Sequence, residues 1–440
     1  MMGTKNLKFF LFVTGIITAL LVTGTFYSCT PKIPGKDANP FEVNTSHLDH
    51  LYEEKKVEGH DVAIVHIYSE YPDYHWVGDN DEGIACVDDA SRACVFYLRQ
   101  YAGTSSPEYL DKGIKLVRFL MQMQAANGYF YNFIWEDGSI NKTGKTSEAI
   151  PTWWSWRSLW AMGEAIKILQ EIKPSPDLNL ITEIKKHRDA LVNVILKEGN
   201  FFSTKTDTTS GIIIPTWLPG GSATDQASIM LMGLALAYQQ DIFMNHQAKR
   251  DSVELLIQNL AEGIMIMQVN APGVICDGAF LSWENLWHAY ANVQSYALLS
   301  AGQILNDPHM QERPLYEINN FYLKIFAIGY LESFWVHKVD NKITSYNSKD
   351  VPQIAYGIRP MVWACSKAYE VTADEKYKTQ AKRIAGWFSG QNVAHALMYD
   401  PLTGRGYDGI NATNQINKNS GAESTIEALL TMQAIENLDN

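Results

Sequence analysis

Positive charge is scarce in this chain. Over 440 residues, Lys and Arg total 36 against 48 Asp and Glu, a formal charge of −12. An acidic balance without a basic patch excludes a nucleic-acid binder, which needs a positive face against phosphate, and adhesion to anionic lipid. Cysteine is also rare, at five residues. There is no C-x-x-C and no Cys/His spacing suited to zinc, so no metal is expected. Cys86, Cys94, Cys276 and Cys365 read as buried free thiols. Strand-like runs are few and short, at 61–69, 211–215 and 273–276. No Pro/Ser/Gly-rich linker interrupts residues 45–438, which argues for one large domain. What is plentiful is apolar and aromatic: 46% of residues are hydrophobic, with 12 Trp and 22 Tyr. That supplies a large core and leaves rings to spare.

One long hydrophobic run occurs, at 9–26, behind Lys5 and Lys8. It ends in Phe26-Tyr27-Ser28-Cys29, which resembles a lipobox, where cleavage precedes a cysteine that then carries lipid. The expected organisation is a signal peptide over 1–28, a tether over 29–43 and the folded domain over 44–440. Cleavage removes two lysines and leaves −14 (−12 − 2). The protein is then anchored through Cys29 to a bacterial membrane, periplasm-facing or on the outer-membrane surface. The lipid is its only membrane contact.

Helical apolar periodicity fills most of the remaining chain. It predicts helices near 45–57, 88–102, 107–125, 152–171, 179–197, 223–241, 246–268, 283–305, 314–336, 353–370, 375–389 and 421–436. Paired through short linkers, they form helical hairpins, and closing the hairpins into a ring gives an all-α (α/α)6 toroid. Loops differ too much in length and chemistry for an open solenoid, which repeats visibly. The loops that lead into alternate helices are long and rich in Gly, Asn, Asp and aromatics. One rim is therefore expected to carry function and the other only structure.

The first turns at that rim hold Asp88, Asp89 and Arg92, then Trp153, Trp154, Trp156 and Arg157. Next come Thr224 and Asp225, then Trp283, Glu284, Asn285, Trp287 and His288, then Gln353, Tyr356 and Arg359. Residues 420–423 are last. Rings beside carboxylates and amides suit sugars, whose C–H faces stack while their hydroxyls bond. Trp153, Trp156 and Trp160 fit an i, i+3, i+7 core stripe. Trp154 falls off that stripe and is the cleft candidate. One of Trp283 and Trp287 is expected in the core.

Glycoside hydrolysis needs one protonated and one ionised carboxyl. Asp88 and Asp89 at a helix N-terminus stay ionised there, one as cap and the other as base. Glu423 is the candidate acid, although Ser420 and Glu423 also match a capping box. Glu284 could take either role. Gly404-Arg405-Gly406-Tyr407-Asp408-Gly409 matches G-x-G-x-x-G but lacks a strand before it, so no dinucleotide and no organic cofactor is expected. Residues 79–83 read as an acidic turn rather than a calcium loop.

The C-terminal segments resemble the six-hairpin glycosidases. They are Trp387-Phe388-Ser389-Gly390-Gln391-Asn392, Met398-Tyr399-Asp400-Pro401, Thr403-Gly404-Arg405, Asp408-Gly409 and Asn419-Ser420-Gly421-Ala422-Glu423-Ser424-Thr425. Their order is similar to the end of the inverting cellulases of glycoside hydrolase family 9. That resemblance implies Glu423 as acid and Asp88 or Asp89 as the base holding water. Here the aspartates are adjacent, in place of the Asp-Ala-Gly-Asp spacing of those cellulases. The expectation is an inverting glycoside hydrolase on an oligo- or polysaccharide. Its carboxyls would stand roughly 6.5–9.5 Å apart. Trp154, Arg92, Arg157, Trp283, Glu284, His288, Tyr356 and Arg359 are the expected substrate contacts, and the arginines admit an anionic sugar such as a uronate. The alternatives are a non-catalytic glycan-binding lipoprotein and a polysaccharide lyase using Tyr or His as base. An epimerase on this scaffold is a minor option.

Overall fold

A computed structural model describes residues 39–173 and 178–439. The signal segment and Cys29 lie outside the described residues. The described residues contain twelve α-helices: α1 (Ser46–Leu51), α2 (Val87–Thr104), α3 (Pro107–Gln122), α4 (Trp153–Glu171), α5 (Leu178–Ile195), α6 (Thr224–Gln239), α7 (Gln247–Ile266), α8 (Gln294–Leu305), α9 (His309–Ala327), α10 (Ala355–Thr372), α11 (Glu375–Ala385) and α12 (Ala422–Asp439). The even-numbered helices contact one another in the order α2, α4, α6, α8, α10, α12, and α12 returns to α2. Helices α3, α5, α7, α9 and α11 each cover the inner helix before them. This is the expected (α/α)6 toroid.

Burial follows from sequence. The α4 sequence WWSWRSLWAMGEAIKILQE is buried around nearly its whole circumference, as an inner helix must be. The α11 sequence EKYKTQAKRIA buries one stripe, Tyr377, Gln380, Ala381 and Ile384. Inner helices α4 and α6 cross where Gly233 faces Leu159 and Trp160. A Cβ on Gly233 would lie 2.6 Å from Leu159 Cγ, so glycine sets that approach.

Every strand in the described residues lies in a connection that enters an inner helix. Among the described residues, the connections that leave inner helices carry none. The two rims are thus as unlike as the loops suggested.

Three boundaries differ from expectation. The first helix ends at Leu51, and Tyr52–Val57 pairs with His60–Val65 as a hairpin. The eighth begins at Gln294 rather than 283, because Leu286–His288 is a strand paired with Ser333–Val339. The ninth is displaced to His309–Ala327, and the residues expected at its end form the hairpin Ser333–Val339 with Lys342–Lys349. These stretches alternate aromatic and polar residues, which short windows read equally as helix. The expected strand at 273–276 is a turn. The four cysteines are free and buried, as expected. The end of the expected tether is fastened to the domain: Val43 N–H donates to Glu436 and Asn44 N–H to the Tyr399 hydroxyl, each at 3.0 Å.

One buried acid in the outer layer has a measurable consequence. Glu317 on α9 is fully buried. It accepts from Phe280 N–H at 2.9 Å and the Ser295 hydroxyl at 2.7 Å. Burial outweighs these bonds and raises its pKa from 4.5 to about 7. A raised carboxyl favours the fold while protonated. Its contribution is whole below the unfolded pKa of 4.5 and is lost as pH rises through about 7. Across that window we expect a decline of about 3 kcal/mol, from 1.36 kcal/mol per pKa unit. Urea unfolding at pH 5 and pH 8 checks it, and Glu317→Gln should flatten the slope.

Candidate active site

Helix α2 begins after a bend in which Cys86 Sγ caps the chain by accepting from Asp89 N–H at 3.4 Å. Neither aspartate is the cap, contrary to expectation. Both sit in the first turn, and they point to different surroundings. One Asp88 oxygen pairs with Arg157 Nη1 of α4. The other lies 3.4 Å from Asn132 Nδ2. Asp89 has both oxygens committed, one to Arg92 Nη2 at 2.7 Å and one to the Cys86 thiol at 3.2 Å. The Asp88 side chain is 18% exposed and that of Asp89 is 8%. Asp88 is therefore the aspartate a substrate or water can reach.

Arg92 lies one turn below and joins α2 to α12. Its Nη1 reaches Glu423 at 3.0 Å and Glu427 at 3.2 Å. Glu427 is fully buried and is also held by Arg359 of α10, from Nε at 2.5 Å. Tyr356 stands among the three guanidiniums. Its hydroxyl accepts from Arg157 at 2.8 Å, and Arg92 and Arg359 lie 4.9 and 5.3 Å from its ring centre. All three arginines are thus engaged with carboxylates. None of the three is left as a free guanidinium for an anionic sugar, so their pairing lends that expectation no support.

Glu423 differs from its neighbours. About a third of its side chain, 35%, is exposed. Burial of the carboxyl raises its pKa, with Asp89 and Glu427 adding to the effect and Arg92 opposing it. Asp89 is also raised, first by burial. The capping-box reading of Glu423 is not realised. The Ser420 hydroxyl is used on Gly406 C=O at 2.8 Å and Thr425 at 3.1 Å, and Glu423 faces Arg92. The helix start is held instead by Asp408, which accepts from Gly421 N–H and the Ser424 hydroxyl. That is the task of the glycine-rich segment: a Cβ on Gly406 would run into Ser424 C=O. The turn at 79–83 is tied locally, with Asp79 accepting from Asp81 and Glu82 N–H.

The aromatic assignment is reversed in α4. Trp154 is buried, and its indole N–H donates to Phe130 and Glu148 carbonyls. Trp153 is the half-buried ring at the cleft, 5.2 Å from the Arg157 guanidinium and 6.0 Å from Tyr290. The stripe rule fails because the first turn of an inner helix stands above the core. Trp156 and Trp160 are core, as expected, and so is Trp287, whereas Trp283 is 44% exposed. Glu284 stays beside Trp283, its N–H bonded to Ser222, and its carboxylate takes no part in the arginine cluster. His288 meets Asp225 at 3.2 Å.

Tyr290, Tyr68 and Glu427 were missed. Tyr290 packs edge-on against Tyr356, with ring centres 4.7 Å apart. Tyr68 sits beside Ile67, whose carbonyl accepts from Ala422 N–H, next to Glu423. The spacing of Glu423 and Glu427, one turn apart on an otherwise apolar helix, could have flagged the latter. Nothing local marks the two tyrosines.

No family model matches the chain, and no curated protein matches it. Solved structures do. A cellobiose 2-epimerase from Bacillus thermoamylovorans B4167 aligns with TM-score 0.59 at 13% identity, covering 90% of this chain and 96% of that one. A family 76 glycoside hydrolase from a bovine Bacteroides thetaiotaomicron strain gives 0.55 at 12%, covering 91% and 78%. The family 9 endoglucanase J30 gives 0.50 at 11%, covering 90% and 84%. At such identities the likeness is one of fold.

Proposed function

We propose that the protein is a saccharide-processing enzyme, and specifically a glycoside hydrolase in which Glu423 is the acid and Asp88 the base. The observation that carries this is the pairing of two unlike carboxyls at one cleft. Glu423 is partly exposed and has a raised pKa, so it holds a proton to give to a glycosidic oxygen. Asp88 is bound to Arg157, which holds its carboxylate in place, and a carboxylate so placed can take a proton from water. Asp89 orients Arg92. Trp153 offers a face to a sugar ring. The solved structures with this fold include glycoside hydrolases, which agrees.

A second reading is a sugar epimerase. It is favoured by the His288–Asp225 pair and by the epimerase among the solved structures of this fold. Histidine beside a carboxylate can move a proton near neutral pH. A panel of reducing oligosaccharides incubated in D2O separates the two. The hydrolase releases smaller sugars of one anomer, seen by proton NMR, and puts no deuterium on C2. An epimerase exchanges C2 and conserves chain length. Asp88→Asn should abolish hydrolysis, and Asp89→Asn should weaken it less.

A further inference from the structure

Across Tyr290 from Tyr356 lies a cavity of about 280 Å³. It is framed by the loop after the strand Leu286–His288, the chain entering Ser333–Val339, and the first turns of α10. Its walls are Ile325, Leu331, Ile354 and Met361. Its lining is mostly apolar, and two of its polar side chains have partners of their own. Gln353 donates to Gly329 and Asp350 carbonyls and accepts from Trp387, and the Glu332 carboxylate holds the Ser333 hydroxyl. Such a lining offers a sugar ring far more apolar surface than hydrogen-bond partners. Trp287 also lines the cavity, and its indole N–H is buried without a partner. A buried donor of this kind is costly unless something accepts from it.

Tyr290 is the shared wall. It lines this cavity, and on its other side it meets Tyr356 and Trp153. Its hydroxyl also lies within the field of Glu423 and Arg157. A group leaving from the oxygen that Glu423 protonates would therefore have an apolar recess next to it. A cavity of about 150 Å³ is enough for benzene, so this one has room for a substituted aromatic ring.

We propose that this cavity is the leaving-group subsite, and that the leaving group is an aromatic aglycone, so that the substrate is a phenolic glycoside. This rests on the hydrolase reading above. Water's oxygen bonds to the anomeric carbon while Asp88 takes its proton. The anomeric carbon–oxygen bond breaks, and the phenol oxygen receives the proton of Glu423.

The test uses free 4-nitrophenol, titrated into the protein and followed by ligand-observed NMR. Saturable binding is expected in wild type and in Glu423→Gln. It should weaken about tenfold or more, a difference of about 1.4 kcal/mol, in Met361→Trp and in Ile325→Phe, which fill the cavity from different helices. Each variant is checked for cooperative thermal unfolding, and the second stands in if the first does not fold. No saturable binding by wild type, or binding untouched by both fillings, overturns the proposal. The hydrolase reading fails separately: a protein that binds the phenol and cleaves no glycoside keeps an aromatic-binding cavity and loses both the reaction and the leaving-group role.

Discussion

Glu423→Gln is expected to lower kcat on any cleaved glycan by about three orders of magnitude, the middle of the range for general acid catalysis. Its effect on stability should be small. Gln keeps the volume, and Arg92 retains Asp89 and Glu427 as partners. The variant also removes one carboxylate from a cluster in which burial, Asp89 and Glu427 already disfavour its charge. The pH profile carries the sharper test. A raised pKa keeps Glu423 protonated to higher pH than an ordinary glutamate, so wild-type activity should fall as pH rises through that value. The residual activity of the variant should lack this alkaline limb. A variant that keeps the limb would assign the acid elsewhere, with His288 the first residue to examine. A loss of folding together with activity would make Glu423 a structural residue instead.

Much of this was legible in sequence, and the failures share a cause. Inner and outer helices announce themselves because a helix buried all round and a helix buried on one stripe have different patterns. The rim could be chosen because long polar loops precede only alternate helices. Asp88, Asp89, Arg92, Arg157, Tyr356, Arg359 and Glu423 are all brought to one cleft, since first turns of inner helices converge wherever the ring closes. Side-chain direction was beyond reach. Trp153 and Trp154 are neighbours, and which one meets the cleft depends on how far the helix rises above the core. Adjacent aspartates look equivalent on paper, yet Cys86 and Arg92 absorb one and leave the other at the surface of the cleft. Tyr290 follows a strand whose path is set by long-range pairing, that of Leu286–His288 with Ser333–Val339. No window of local sequence contains that information.

The largest stability effect is expected at Arg92, which is nearly fully buried and bonded to Asp89, Glu423 and Glu427 at once. In Arg92→Met the methylene stem is replaced but the charge is not. Glu427 keeps Arg359, whereas Asp89 is left with the Cys86 thiol as its bonded partner. Removing one member of a buried ionic group costs about 3–5 kcal/mol, because the partners stay charged without compensation. The loss should depend on pH with a definite sign. The carboxyls of Asp89 and Glu423 are already raised by burial, and without the guanidinium they rise further. A raised carboxyl contributes fully below its unfolded pKa and loses that contribution as pH rises through the folded value. The deficit of the variant, from urea unfolding, should therefore be largest at pH 8 and shrink at pH 5, where the stranded carboxyls can take up protons. Arg92→Lys keeps a charge but presents a single ammonium to three carboxylates that meet two guanidinium nitrogens now, so it should fall between the two. An equal deficit at both pH values would mean that Arg92 acts through packing around Tyr356 rather than through charge, and the electrostatic account of the cleft would have to be withdrawn.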